Sequence, residues 1–268
     1  MDMTSFGMPT LMMVSHGNSG NGGDPAAALA DAVRDHWAGS VRHGYMRSTP
    51  SVPDQLATLK RDHEANGLIV FPLFFSEGYL VFDELPRNLR DAGLYHAVIL
   101  PPAINLPGFT AMVARHVQAA MSRRGWDGLE TSVFLVPHGL KTLTKPLPET
   151  VRFARALGGF CAGSEICIGN IEGDPSLRDW RMIGSRKHAL IMPMLAGGGM
   201  HACTNLPEMI AAQPGETIEI LAPIGEWAEL PDLILAEAAR FVCHRPDRSK
   251  GLHRPIVRSR VENGAGLI

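Results

Sequence analysis

The sequence predicts an α/β protein built from two similar doubly wound lobes. Each lobe is a mainly four-stranded parallel sheet with helices on both faces, and a cleft lies between the lobes. Two observations carry this prediction. Short apolar runs alternate with amphipathic stretches along most of the chain, the pattern of parallel strands covered by helices on both sides. A set of landmarks also recurs at a spacing of 121 or 122 residues. Val14-Ser15-His16-Gly17 returns as Val136-Pro137-His138-Gly139, and the segment from Pro72 to Gly78 as that from Pro193 to Gly199. Leu85-Pro86 returns as Leu206-Pro207, and Pro102 as Pro223, each ahead of a helical segment. Repetition at a fixed period marks a duplicated architecture. Chance periodicity would not also bring Gly and Pro into register.

In the first lobe, strands are expected at residues 10–15, 41–46, 68–75 and 97–101, and helices at 25–38, 53–66, 82–92 and 107–123. Pro25 and Pro53 open helices, because the N–H that proline lacks is one the first turn leaves unpaired anyway. Ala32, Val33 and Trp37 share one face of the first helix at the 3.6-residue period. The second lobe repeats the pattern, with strands at 132–137, 165–171, 189–195 and 218–222. The join near residues 124–130 gives an N-terminal lobe at 1–127, a C-terminal lobe carrying the candidate metal site at 128–244, and a basic tail at 245–268.

The tail sets Arg245, Arg248, Lys250, Arg254, Arg258 and Arg260 against Asp247 and Glu262, and reads as a flexible solvated extension. Over the whole chain of 268 residues, 25 Lys and Arg nearly cancel 27 Asp and Glu, which argues against a nucleic-acid partner. No apolar run approaches the roughly 20 residues that span a bilayer, so no membrane partner is expected. The N-terminus lacks the basic and apolar regions of a signal peptide, which predicts a cytoplasmic protein. Cys161, Cys167, Cys203 and Cys243 form no C-x-x-C pair and read as small buried hydrophobes in a reducing compartment. Cys203 alone draws attention, two residues after His201.

In open α/β sheets, ligands and catalytic groups gather at strand C-termini. Three such positions in the second lobe carry His138, Glu172 and His201. Two imidazoles and a carboxylate on one side of a sheet suit a divalent transition metal, and an imidazole can also accept a proton near neutral pH. The first lobe retains His16. Leu80 stands where His201 has its counterpart, and in the segment Gly44 to Val52, which matches Gly169 to Leu177, a basic residue or a hydroxyl replaces the carboxylate of Glu172. The second lobe therefore holds the surviving half of a doubled site.

These motifs resemble the class II tetrapyrrole chelatases, the family of sirohydrochlorin cobaltochelatases and ferrochelatases, in its two-lobe form. The matching residues are the strand-then-His-Gly at His16 and His138, Ile171 to Leu177, and Met192 to Leu195 running on to His201 and Asn205. Pro72 to Gly78 with Leu85-Pro86 resembles the same family segment, and the likeness spans roughly residues 9–243. It departs at Gly139-Leu140-Lys141-Thr142, at Leu80, and in the basic tail.

The resemblance implies a chelatase that inserts cobalt or iron into a sirohydrochlorin-type tetrapyrrole, in cobalamin or siroheme biosynthesis. It makes His138, Glu172 and His201 the metal-binding and catalytic positions. Cobalt, iron or nickel is then a substrate, no cofactor is tightly bound, and a homo-oligomer is compatible with the reading. Lys141, Lys145, Arg42 and Arg47, near predicted strand ends, are the candidates to meet the substrate carboxylates. A non-catalytic tetrapyrrole- or metal-binding carrier or sensor on the same scaffold is the alternative. A third reading, phosphoryl chemistry, rests on Arg42-His43-Gly44 and the glycine-rich stretch from Gly17 to Gly23. That stretch has neither the P-loop nor the dinucleotide spacing.

Overall fold

The computed structural model describes residues 8–17, 24–64, 67–198, 205–210 and 217–243. In the first lobe, strands β1 (Leu11–Ser15), β2 (Val41–Tyr45), β3 (Ile69–Pro72) and β4 (Val98–Ile99) alternate with helices α1 (Pro25–Arg34), α2 (Val52–Arg61), α3 (Leu85–Asp91) and α4 (Phe109–Arg124). A π-helical turn at Leu80–Glu84 leads into α3. The second lobe contains β5 (Thr131–Pro137), α5 (Pro148–Phe160), β6 (Glu165–Ile168), α6 (Trp180–Ile183), β7 (His188–Met194), α7 (Leu206–Ile210), β8 (Thr217–Ile220) and α8 (Leu230–Cys243).

Both sheets are four-stranded and parallel, in the orders β2-β1-β3-β4 and β6-β5-β7-β8. This is the two-lobe, doubly wound fold the repeat predicts. Chain direction across each sheet reverses between β1 and β3, and again between β5 and β7. A doubly wound sheet opens a crevice at such points. The pairings Val14↔Pro72 and Val136↔Pro193 occupy matching places in the two registers.

Strand alternation decides what each face buries. Leu11 and Met13 of β1 point to the same side as Val133 and Leu135 of β5, into one core shared by both lobes. Met12 and Val14 point the other way, onto α2 and α3, and Phe134 and Val136 onto α6 and α7. The inner layer is made by α1, α4, α5 and α8. Phe109 of α4 packs against Phe153 of α5 with ring centroids 5.4 Å apart. His116 of α4 stacks on Trp227 at 3.9 Å, and its Nε2 meets Glu229 at 2.9 Å.

The seam between the lobes is therefore filled along most of its length, where the sequence predicted an open cleft. Helices α1, α4, α5 and α8 bury apolar side chains against one another there, which removes apolar surface from water. Among the described residues, one groove at the seam is lined by Asp24, Pro25, Ala28, Gly197, Glu226 and Trp227, and another by Ile104, Asn105, Thr110, Glu149 and Arg152. The loop after β3 reaches the start of α5, where the Glu77 backbone N–H donates to Glu149 at 2.9 Å. Gly197, after β7, lies against Pro25 at the start of α1. Strand C-termini of both sheets thus open on one side of the molecule.

Several elements are shorter than predicted. The fourth strand, expected at 97–101, is Val98–Ile99, since Pro101 and Pro102 have no N–H to continue a ladder. The second helix ends at Arg61, and His63 takes a positive φ of 57°. Among the described residues, no helix is long and apolar enough to cross a membrane. The basic tail lies outside the described residues.

Candidate metal centre

The central strand of the second sheet, β5, is buried along its whole length and ends at Pro137. His138 follows, half-buried, with its Nδ1 3.1 Å from the carbonyl oxygen of Gly139. A carbonyl can only accept, so Nδ1 carries the proton and Nε2 the lone pair, the tautomer a metal ligand requires.

Glu172 is brought beside it by the main chain. Its N–H donates to the His138 carbonyl at 2.8 Å, and Gly139 and Glu172 form a bridge. Gly139 has φ +74°, and a Cβ there would stand 2.1 Å from the Glu172 oxygen. A side chain at position 139 would push the two strand ends apart. This is the physical reason for the His-Gly pair.

Asn170 fixes the return of the chain. It is buried, its N–H donates to the Pro175 carbonyl at 2.7 Å, and its Nδ2 donates to the Asp174 carbonyl at 2.9 Å. Asn170 was missed as a positioning residue, although its place between a strand and the Glu-Gly-Asp-Pro turn was a usable signal. The N–H of Asp174 donates to Leu143 at 2.9 Å, tying the segment after His138 against the segment holding Glu172. Lys141 and Lys145 are exposed on that tied segment.

His201 and Cys203 lie outside the described residues. The segment leading to them is anchored: the Gly198 N–H donates to Glu226 at 2.5 Å. Among the described residues, no three His, Cys, Asp or Glu side chains gather closely enough to hold a metal ion. The described part of the expected triad is the pair His138 and Glu172.

The first lobe repeats the backbone and changes the side chains. His16 Nδ1 lies 3.1 Å from the Gly17 carbonyl, and the Arg47 N–H donates to the His16 carbonyl at 2.9 Å. Gly17, at φ +94°, also takes a left-handed conformation, and a Cβ there would meet the Ser48 hydroxyl at 2.2 Å. Arg47 is thus the structural counterpart of Glu172. Its guanidinium grips Glu84 in a two-pronged pair, Nη1 to Oε1 and Nη2 to Oε2, the second at 2.7 Å. The hydrogen bond from Arg47 holds the Glu84 carboxyl below its ordinary range, with the Arg47 and Arg87 charges adding to it against the cost of burial. Leu80 opens the π-helical turn and packs on the outer core.

Arg42 requires a correction. It sits at the N-terminal end of β2, away from the strand C-termini, with its Nη2 2.7 Å from Glu64 and 3.9 Å from Asp62. Strand direction sets this, since Arg42 is the second residue of a strand that runs on to Tyr45. His43 lies inside β2 rather than at its end, and residues 18–23 of the glycine-rich stretch lie outside the described residues, so nothing described assembles a phosphate site. Cys161 and Cys167 are buried free thiols, and burial pushes Cys167 up to about 12, a poor state for a metal ligand.

Residues 10–122 match the family model described as CbiX. A probable sirohydrochlorin cobaltochelatase of Halobacterium salinarum is 38% identical over 86 residues, which are 31% of this chain and 28% of that protein. The match therefore spans less than a third of that relative's length. Among solved structures, CbiX, described as the terminal enzyme for biosynthesis of siroheme in denitrifying bacteria, superposes with a TM-score of 0.64 at 24% identity, covering 86% of this chain and 98% of its own. The sirohydrochlorin chelatase SirB from Bacillus subtilis subspecies spizizenii, in complex with cobalt, gives 0.64 at 14% identity, covering 87% and 94%. At these identities the two structures speak for the fold, and they do so across both lobes.

Proposed function

We propose that this chain, a relative of the class II tetrapyrrole chelatases, inserts a divalent metal ion into a sirohydrochlorin-type tetrapyrrole, with cobalt or iron as the metal. The observation that carries this reading is the strand-end pair of His138 and Glu172, closed by a main-chain hydrogen bond across Gly139. An imidazole lone pair and a carboxylate at such an end suit a first-row divalent ion that must be held and then released. His201 completes the set in this reading.

The substrate chemistry assigns the remaining roles. Insertion expels two pyrrole N–H protons, so a base must stand close to the macrocycle. His138 or Glu172 serves, being within reach of an ion they would pass inward. Lys141 and Lys145 meet the carboxylates of the tetrapyrrole as exposed cations on the flank of the site.

The test is an absorbance assay of sirohydrochlorin with Co²⁺, Fe²⁺ or Ni²⁺, using the intact chain and the variants His138→Ala, Glu172→Gln and His201→Ala. Insertion by the intact chain, lost in all three variants, is the expected result. Full activity in His201→Ala or His138→Ala would overturn the site. Tight binding of a metallated tetrapyrrole without insertion would instead identify a carrier.

A further inference from the structure

The family match lies over residues 10–122, yet this lobe carries residues at its strand ends that do not suit a metal ion. His16 presents one lone pair, because its Nδ1 proton is directed at the Gly17 carbonyl. Leu80 offers none. Arg47 brings a permanent positive charge. Both oxygens of Glu84 are already engaged by Arg47 Nη1 and Nη2.

We propose that the strand-end position of the first lobe is a cation site filled by the protein itself. The Arg47 guanidinium, held by Glu84 beside His16, takes the place of a metal ion and excludes one. This rests on the reading of the second lobe above, because Arg47 is identified as the counterpart of Glu172 through matching hydrogen bonds to His16 and His138.

The physical argument has two parts. A divalent ion near a guanidinium is repelled, although solvent weakens the repulsion at the exposed Arg47. A first-row ion also needs three or four donors, and here one imidazole is unengaged. The tether makes the internal cation hard to displace, since a bidentate Arg–carboxylate pair is the strongest common ion-pair geometry. The chain would accordingly take one metal equivalent although it holds two copies of the strand-end architecture. Restoring ligands at two positions should reopen the site, since residue 47 corresponds to Glu172 and residue 80 to His201, while residue 84 corresponds to Asn205.

The experiment titrates Co²⁺ by visible absorption into the full chain carrying His138→Ala and Glu172→Gln, which removes the proposed second-lobe site. In that background, Arg47→Glu with Leu80→His is expected to gain about one equivalent, whereas Leu80→His alone gains none. The triple variant Arg47→Glu, Leu80→His, Glu84→Asn removes the Glu84 carboxylate that Arg47 no longer pairs and is expected to behave as the double one does. Circular dichroism checks that each is folded. A gain with Leu80→His alone, or no gain in a folded triple variant, overturns the proposal.

The unaltered chain supplies an independent reading. Its His16 ring resonances are expected to stay sharp at the first equivalent of Co²⁺, and their broadening would also overturn it. If the His138→Ala, Glu172→Gln background still binds one ion, His16→Ala separates the two ideas. Loss of that ion with His16→Ala counts against the filled first site, while its retention counts against the second-lobe assignment alone.

Discussion

The backbone N–H of Glu172 donates to the carbonyl oxygen of His138 at 2.8 Å. A carboxylate and an imidazole are thereby set side by side by main-chain atoms, before either side chain takes part. The same bond, from Arg47 to His16 at 2.9 Å, sets an arginine beside a histidine in the other lobe. One backbone arrangement thus presents two different chemistries.

Gly139→Ala should disrupt this arrangement. Its Cβ would stand 2.1 Å from the Glu172 oxygen at φ +74°, whereas at Gly163, with φ +88°, a Cβ meets a flexible Leu129 side chain at 3.2 Å. Both variants pay the cost of positive φ, about 1–3 kcal/mol. Thermal denaturation should show the larger loss for Gly139→Ala. Metal binding should fall with it and stay intact in Gly163→Ala.

The Arg47–Glu84 pair predicts a pH-dependent contribution to stability. The carboxyl of Glu84 titrates lower in the folded chain than in the unfolded one. The folded state therefore gains stability above the unfolded value and loses it as pH falls through the depressed folded value. Arg47 is 45% exposed, so the gain is at most about 1 kcal/mol. Urea denaturation of the chain and of Glu84→Gln should differ by that amount at neutral pH and converge in acid.

The seam is a second place to measure. Trp227 is buried, stacked on His116 at 3.9 Å, and its indole N–H donates to Ala222 at 3.0 Å. Trp227→Ala should cost about 3–5 kcal/mol. A double-mutant cycle with His116→Ala should return a coupling of about 0.5–1.5 kcal/mol for the stacked pair. A coupling near zero would mean that the rings share space without interacting.

Lys141→Ala and Lys145→Ala test the substrate side of the proposal. Each lysine is exposed, so its attraction for a carboxylate is worth at most about 1 kcal/mol, or about a 5-fold change. The expected outcome is a higher KM for sirohydrochlorin with kcat unchanged, and a difference that shrinks as salt is raised. A fall in kcat at constant KM would place the lysines in another role.

The duplicated strand-helix order was legible because it rests on local periodicity. Met12 and Val14 alternate with Leu11 and Met13 between two cores, as a period of two requires. His138 and Glu172 were legible as strand-end residues, and a main-chain hydrogen bond joins them. Arg42 misled because it was placed near a strand end without regard to which end. The grip of Arg47 on Glu84 was not legible, since those residues belong to separate elements and no local pattern joins them. Nor was the filled seam, which depends on four helix faces matching one another.

The sequence by itself determined the two-lobe α/β architecture, the repeat, and which positions stand at strand ends. Helix and strand periods and the Gly and Pro landmarks are properties of neighbouring residues. Tertiary structure decided which of those positions meet. Parallel strand order carries Glu172 to His138 and Arg47 to His16, and packing of α4 on α5 closes the space between the lobes. Those meetings are set by pairing between segments far apart in the chain, where the lowest free energy belongs to the assembled sheets and helices rather than to any one segment.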